Sequence, residues 1–105
     1  MTANASIINV PVAVKVELFG IARMKAGVNA VTLSLDTAAT VADLARELIH
    51  ACPALVSAVL LADGAIADGY VLNRNGLAFL PAEPDALLQL ADGDTLMLLS
   101  NQAGG

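Results

Sequence analysis

Two short runs, Val14-Lys15-Val16-Glu17-Leu18 and Val31-Thr32-Leu33-Ser34-Leu35, alternate apolar and polar residues without a break. No other feature restricts the possible folds as much. A period of two places the apolar side chains of a strand on one face, so each run predicts a strand buried on one side only. Residues 20–29 connect them, with Gly20 and Gly27 near the two ends, and read as the loop of an antiparallel hairpin. The period then changes. Val41, Leu44, Ala45, Leu48, Ile49 and Cys52 follow the spacing of one helix face. Thr40 stands at the N-cap position, with Asp43 three residues on in the manner of a capping box. Asp43 and Glu47 suit the positive end of the helix dipole. Pro53 pushes the residue before it out of the helical region. The expectation is a helix over about residues 40–52, packed on the hairpin.

The rest of the chain is built of shorter pieces. Residues 54–62 read as a short helix or buried coil. Asp63-Gly64, Asp68-Gly69 and residues 92–94 are turn signals. Tyr70-Val71-Leu72-Asn73 reads as a short strand, and Asn75-Gly76 as a tight turn into a strand over residues 77–80, broken by Pro81 and Pro84. Residues 85–90 suggest a helical turn. Thr95-Leu96-Met97-Leu98-Leu99 lacks alternation, which predicts a central strand buried on both faces. Placed parallel to the first strand, with the helix as the crossover such neighbours need, it gives an α+β fold with a mixed sheet.

Length and charge narrow the function. A chain of 105 residues is one domain, large enough to bury roughly two-thirds of its unfolded surface without metals or disulfides. Ten acidic against five basic residues give a net charge of −5. That excludes the basic footprint of a nucleic-acid binder, disfavours an anionic membrane surface and suits a basic protein partner. No apolar stretch reaches the length of a membrane span, and the first six residues carry no Lys or Arg, unlike a secretory signal. The expectation is a cytoplasmic protein with a loose leader over residues 1–12 and a single domain over 13–105. One cysteine, Cys52, and one histidine, His50, leave no disulfide and no metal-ligand set. Cys52 lies on the apolar helix stripe and reads as a buried, inert thiol; His50 reads as exposed near the helix end. No phosphate-binding loop or dinucleotide fingerprint is present, so no bound cofactor is expected.

Four stretches carry a resemblance. They are Leu18-Phe19-Gly20-Ile21-Ala22-Arg23-Met24-Lys25-Ala26-Gly27, Thr40-Val41-Ala42-Asp43-Leu44, Leu90-Ala91-Asp92-Gly93-Asp94-Thr95-Leu96 and Ala103-Gly104-Gly105. In this order they resemble the MoaD/ThiS-like sulfur carriers, and in particular the small subunit of molybdopterin synthase. The resemblance spans roughly residues 13–105 and implies the β-grasp, or ubiquitin-like, fold, with one main helix across a mixed sheet. It also implies a mechanism. An E1-like adenylating enzyme (of the MoeB/ThiF type) spends ATP to join AMP to the carboxylate of Gly105. A sulfur donor displaces AMP to leave a thiocarboxylate. The sulfur then passes to a large synthase subunit or another acceptor. On that reading the chain is a cosubstrate or non-catalytic subunit, not an enzyme. The alternative is a ubiquitin-like modifier joined to lysines through the same glycine. The tail departs from the synthase pattern: Ser100-Asn101-Gln102 stand where that family carries prolines.

Gly105 is therefore the expected reacting residue, and Asn101, Gln102, Ala103 and Gly104 the segment that threads into a partner. Five extended residues span roughly 16 Å. Glycine at the tip keeps it narrow and conformationally free. Phe79, beside Leu77 and Leu80, and Arg23, beside Lys25, are the expected docking residues. Arg74, beside the Asn75-Gly76 turn, reads as either a partner contact or a solvated loop residue, and Asp92 and Asp94 read as turn residues with a solvated edge.

Overall fold

The hairpin is present, and both of its strands are longer than the alternating runs. In the computed structural model, which describes residues 10–56, 59–60 and 63–100, strand β1 (Pro11–Leu18) pairs antiparallel with β2 (Ala30–Asp36) from Pro11↔Asp36 to Glu17↔Ala30. Pro11 and Val12, assigned above to the leader, belong to the strand, and Val12 is buried. The alternation works as read. Val12, Val14, Val16 and Leu18 point into the core with Leu33 and Leu35, and the residues between them stay at the surface.

The connection between these strands is not a loop. Residues Gly20–Ala26 form helix α1. It ends at Gly27, whose φ of 77° is left-handed and whose N–H donates to the Arg23 carbonyl, the usual glycine helix stop. Ala22 is buried and Ala26 packs against the core. Two alanines one turn apart anchor the helix without the apolar stripe that marks longer ones.

Helix α2 (Val41–Ala51) matches the expected span to within a residue at each end. Its capping box is complete. Thr40 Oγ1 accepts the Asp43 N–H at 3.2 Å, and Asp43 Oδ2 accepts the Thr40 N–H at 2.9 Å. The backbone hydrogen bond from Thr40 is the main reason the Asp43 carboxyl is held below its ordinary pKa. Hydrogen bonding and charge from Arg46, 3.0 Å away, act in the same direction, while partial burial opposes them. The next N–H groups donate to the chain after β4, Val41 to Ala86 and Ala42 to Pro84, so the amides that usually lack partners at a helix start are satisfied. Val41, Leu44, Ala45 and Leu48 are fully buried.

Leu55 is buried at the end of a 3-10 turn (Pro53–Leu55), and after it Val59, Leu60 and Ile66 are buried outside any helix or strand. Gly64 lies against α2: a Cβ built there would sit 2.8 Å from the Ala42 Cβ, and its φ is +90°. Strand β3 (Tyr70–Arg74) turns through Asn75 (φ 55°) and Gly76 (φ 73°) into β4 (Ala78–Phe79). The Leu77 N–H donates to the Arg74 carbonyl at 2.8 Å. This is the tight turn predicted from Asn-Gly, but β4 is only two residues long: the Leu80 N–H still donates to the Leu72 carbonyl at 2.9 Å, and Pro81, with no N–H, follows. The helical turn expected over residues 85–90 is absent. A bend at Glu83–Ala86 leads into extended chain along α2, with the Leu88 N–H donating to the Ala39 carbonyl.

Strand β5 (Thr95–Ser100) lies parallel to β1 and antiparallel to β3, completing a sheet of order β2-β1-β5-β3-β4. The central position and parallel pairing are as read, but burial on both faces is not. Leu96 and Leu98 are fully buried, whereas Thr95, Met97 and Leu99 are half-exposed. The described core lies on one side of the sheet, so the apolar residues on the other face of β5 remain open.

Candidate functional site around the end of the last strand

Residues Asn101, Gln102, Ala103, Gly104 and Gly105 lie outside the described residues. The structure does describe the surface from which they continue. Ser100, the final residue of β5, pairs with Tyr70, and Leu99 pairs with Val71. Grooves flank the strand end on both sides. One, of about 470 Å³, is lined by Phe19, Ile21, Met24, Tyr70, Leu99 and Ser100. The other, of about 330 Å³, is lined by Val71, Phe79, Leu99 and Ser100. Around them stand large apolar side chains in water. Phe79 is 71% exposed, Met24 79% and Ile21 50%; Leu77, 87% exposed, stands instead near the start of β5, just past the turn that bonds to Thr95. Clustered apolar exposure of this kind marks interaction surfaces.

Strand register explains the clustering. Leu72 pairs with Leu98, both core-facing, so Val71, Asn73, Met97 and Leu99 fall on the open face, with Phe79 opposite Asn73. On β1 and β2 the same face carries Lys15, Glu17, Thr32 and Ser34. The open face is thus polar on its β2–β1 half and apolar on its β5–β3–β4 half. Asn73 interrupts the apolar half. It is buried, and its Oδ1 has no hydrogen-bond partner among the described residues.

Of the expected docking residues, Phe79 is on this surface. Leu80 is only partly buried and packs against the core. Arg23 is exposed on α1, beside Phe19, Lys15, Glu17 and Asn29. Of the two expected docking residues, Phe79 lines a groove at the strand end and Arg23 lies away from both grooves, toward β1 and β2. Ile21, Met24, Tyr70 and Leu99 escaped the sequence reading. The glycines bounding residues 20–27 and the Ala22–Ala26 spacing were the signal for the helix that carries two of them.

Other candidates prove structural. Arg74 donates to the Leu88 carbonyl and lies 3.7 Å from Asp94. Asp94 accepts the Ala91 N–H at 2.9 Å, and Asp92 accepts the Ala13 N–H at 2.8 Å. These carboxylates fix the turn into β5. Cys52 is buried and His50 exposed. Among the described residues no group of three or more His, Cys, Asp or Glu is placed to hold a metal, and no helix is long and apolar enough to cross a membrane.

No protein-family model and no curated protein matches the chain, but solved structures do. The crystal structure of SAMP1 from Haloferax volcanii is 34% identical, covering 89% of this chain and 99% of that one with a TM-score of 0.69. The solution structure of small archaeal modifier protein 1 from Methanosarcina acetivorans is 25% identical, covering 91% and 99% with a TM-score of 0.68. A putative molybdopterin converting factor, subunit 1, from Pyrococcus furiosus is 27% identical, covering 85% and 97% with a TM-score of 0.60. The chain belongs to the MoaD/ThiS-like family of ubiquitin-like β-grasp proteins.

Proposed function

We propose that the chain is a sulfur carrier whose Gly105 carboxyl is activated by an E1-like adenylating enzyme and converted to a thiocarboxylate. The observation that carries this reading is the apolar surface on both sides of Ser100. A protein whose tail is processed inside another protein must hold that protein at the point where the tail departs. The exposed side chains of Phe79, Ile21 and Met24 stand at that point.

The chemistry follows from the terminal group. A carboxylate resists nucleophiles. When one of its oxygens attacks the α-phosphorus of ATP, pyrophosphate leaves and an acyl adenylate forms. A sulfide equivalent from the donor then attacks the carbonyl carbon, AMP departs and a thiocarboxylate remains. The carrier supplies reach, a slim tip and a docking face; ATP and the catalytic groups belong to the partner. With polar Asn101 and Gln102 and no proline, ordering this tail costs on the order of 1–2 kcal/mol per residue. The docking face must offset that cost.

A second reading has its own support. The Haloferax volcanii and Methanosarcina acetivorans neighbours are named as modifier proteins, which favours transfer of the activated carboxyl to a lysine amine as an isopeptide. Both readings share the first step. That step is tested by ATP–pyrophosphate exchange with the purified E1-like enzyme of the host. Wild type supports exchange; the Gly105-deleted protein, folded as judged by circular dichroism, does not. Equal exchange by the two would refute activation at Gly105.

A further inference from the structure

Helix α1 contributes little to the core beyond Ala22 and Ala26, yet it adjoins the end of β5. At 100° per residue, an inward Ala22 puts Arg23 and Lys25 on opposite flanks, with Met24 and Ile21 outward between them. The observed exposure agrees: all four are exposed. Charge pairing sets the helix apart. Of the five basic residues, Arg46 lies 3.0 Å from Asp43, Arg74 3.7 Å from Asp94 and Lys15 3.5 Å from Glu17. Arg23 and Lys25 alone have no ion pair among the described residues. A chain of net charge −5 therefore keeps its two uncommitted cations on one short helix, astride an apolar ridge, beside the point where its tail departs.

An apolar centre with a charged rim is the anatomy of a protein interface, and Met and Arg are enriched in such surfaces. We propose that α1 is the element by which the activating enzyme recognises this chain: Met24 and Ile21 enter an apolar depression on the enzyme, and Arg23 and Lys25 meet carboxylates on its two sides. Net charge alone suits a basic partner. The local charge of α1 selects an acidic patch at this contact, and the chain's acidic remainder disfavours other approaches to it. The inference rests on the reading of Gly105 as the activated carboxyl.

The test is the dependence of ATP–pyrophosphate exchange by the host's purified E1-like enzyme on carrier concentration and salt. Arg23→Glu and Arg46→Glu each change the net charge by the same amount, one on α1 and one on α2. The expected result is a KM for Arg23→Glu raised about tenfold, with kcat within about twofold of wild type and a weaker salt dependence. Lys25→Glu and Met24→Ser shift KM in the same direction. Arg46→Glu leaves KM within about twofold. Equal KM values for Arg23→Glu and wild type, or equal shifts for Arg23→Glu and Arg46→Glu, would overturn the role of α1 while leaving activation at Gly105 in place. Absence of exchange with wild type would overturn both.

Discussion

The two helices are built for different work. Helix α2 has a reciprocal side-chain cap, first-turn amides that donate to the chain after β4 and four fully buried residues. Helix α1 has no side-chain cap, seven residues and two large apolar side chains in water. One helix is tied into the core; the other leaves apolar side chains exposed. The comparison teaches that a helix which packs poorly on its own domain is a place to look for a partner. It also gives a way to separate folding from function, because substitutions in α2 move stability and those in the outward face of α1 move binding.

The widest contrast is Leu44→Ala in α2 against Met24→Ala in α1. Leu44 is fully buried, and its truncation is expected to cost about 2–5 kcal/mol in urea unfolding. Met24→Ala should change stability by less than about 0.5 kcal/mol. A large loss from Met24→Ala would mean that α1 belongs to the core. Next come two glycines with positive φ. Gly64→Ala drives a Cβ onto Ala42 at 2.8 Å, whereas nothing stands within 4 Å at Gly27, which closes α1. The first is expected to cost more than the second, which should show only the left-handed backbone penalty of about 1–2 kcal/mol. Equal thermal shifts would show that the approach of Gly64 to α2 is not tight.

Smaller still is the cap. Thr40→Ala is expected to cost about 1 kcal/mol, while Phe19→Ala at the N-cap of α1, which makes no side-chain cap bond, removes no capping hydrogen bond. The smallest effect is pH-dependent. Folding lowers the Asp43 pKa, chiefly through the backbone hydrogen bond from Thr40. Its contribution is therefore complete above the unfolded value, near 4, and fades as pH falls through the lower folded value. The stability difference between wild type and Asp43→Ala should shrink on that acid side. A gap unchanged across acid unfolding titrations would remove the carboxylate from the cap.

The same contrast explains what was legible in the sequence. Helix α2 announces itself by stripe, cap and stop: Leu44, Thr40 and Pro53 each carry a local physical signal. The hairpin does so by alternation, and the Asn75-Gly76 turn by the backbone those residues accept. Helix α1 is hard to see because two alanines suffice to anchor it, and the Ala22–Ala26 spacing is a far weaker signal than the stripe of α2. The open face of β5 is hidden for another reason. Met97 and Leu99 look like core residues in any local reading, and only the sheet order shows that the described core lies on the side of Leu96 and Leu98. Phe79 reads as a docking residue, but its exposure follows from the sheet register, which puts it opposite Asn73 on the open face. The tail glycines were legible as chemistry alone.

The central claim is that Gly105 is the residue on which sulfur is carried. The most direct test is intact mass spectrometry of the protein isolated from its native host, with the C-terminal peptide then fragmented. The account predicts a population in which one oxygen of the Gly105 carboxyl is replaced by sulfur, lost on alkaline or oxidative treatment and absent when the E1-like enzyme is deleted. A Gly105 found only as free carboxylate under all growth conditions, or only in isopeptide linkage to lysine, would contradict it.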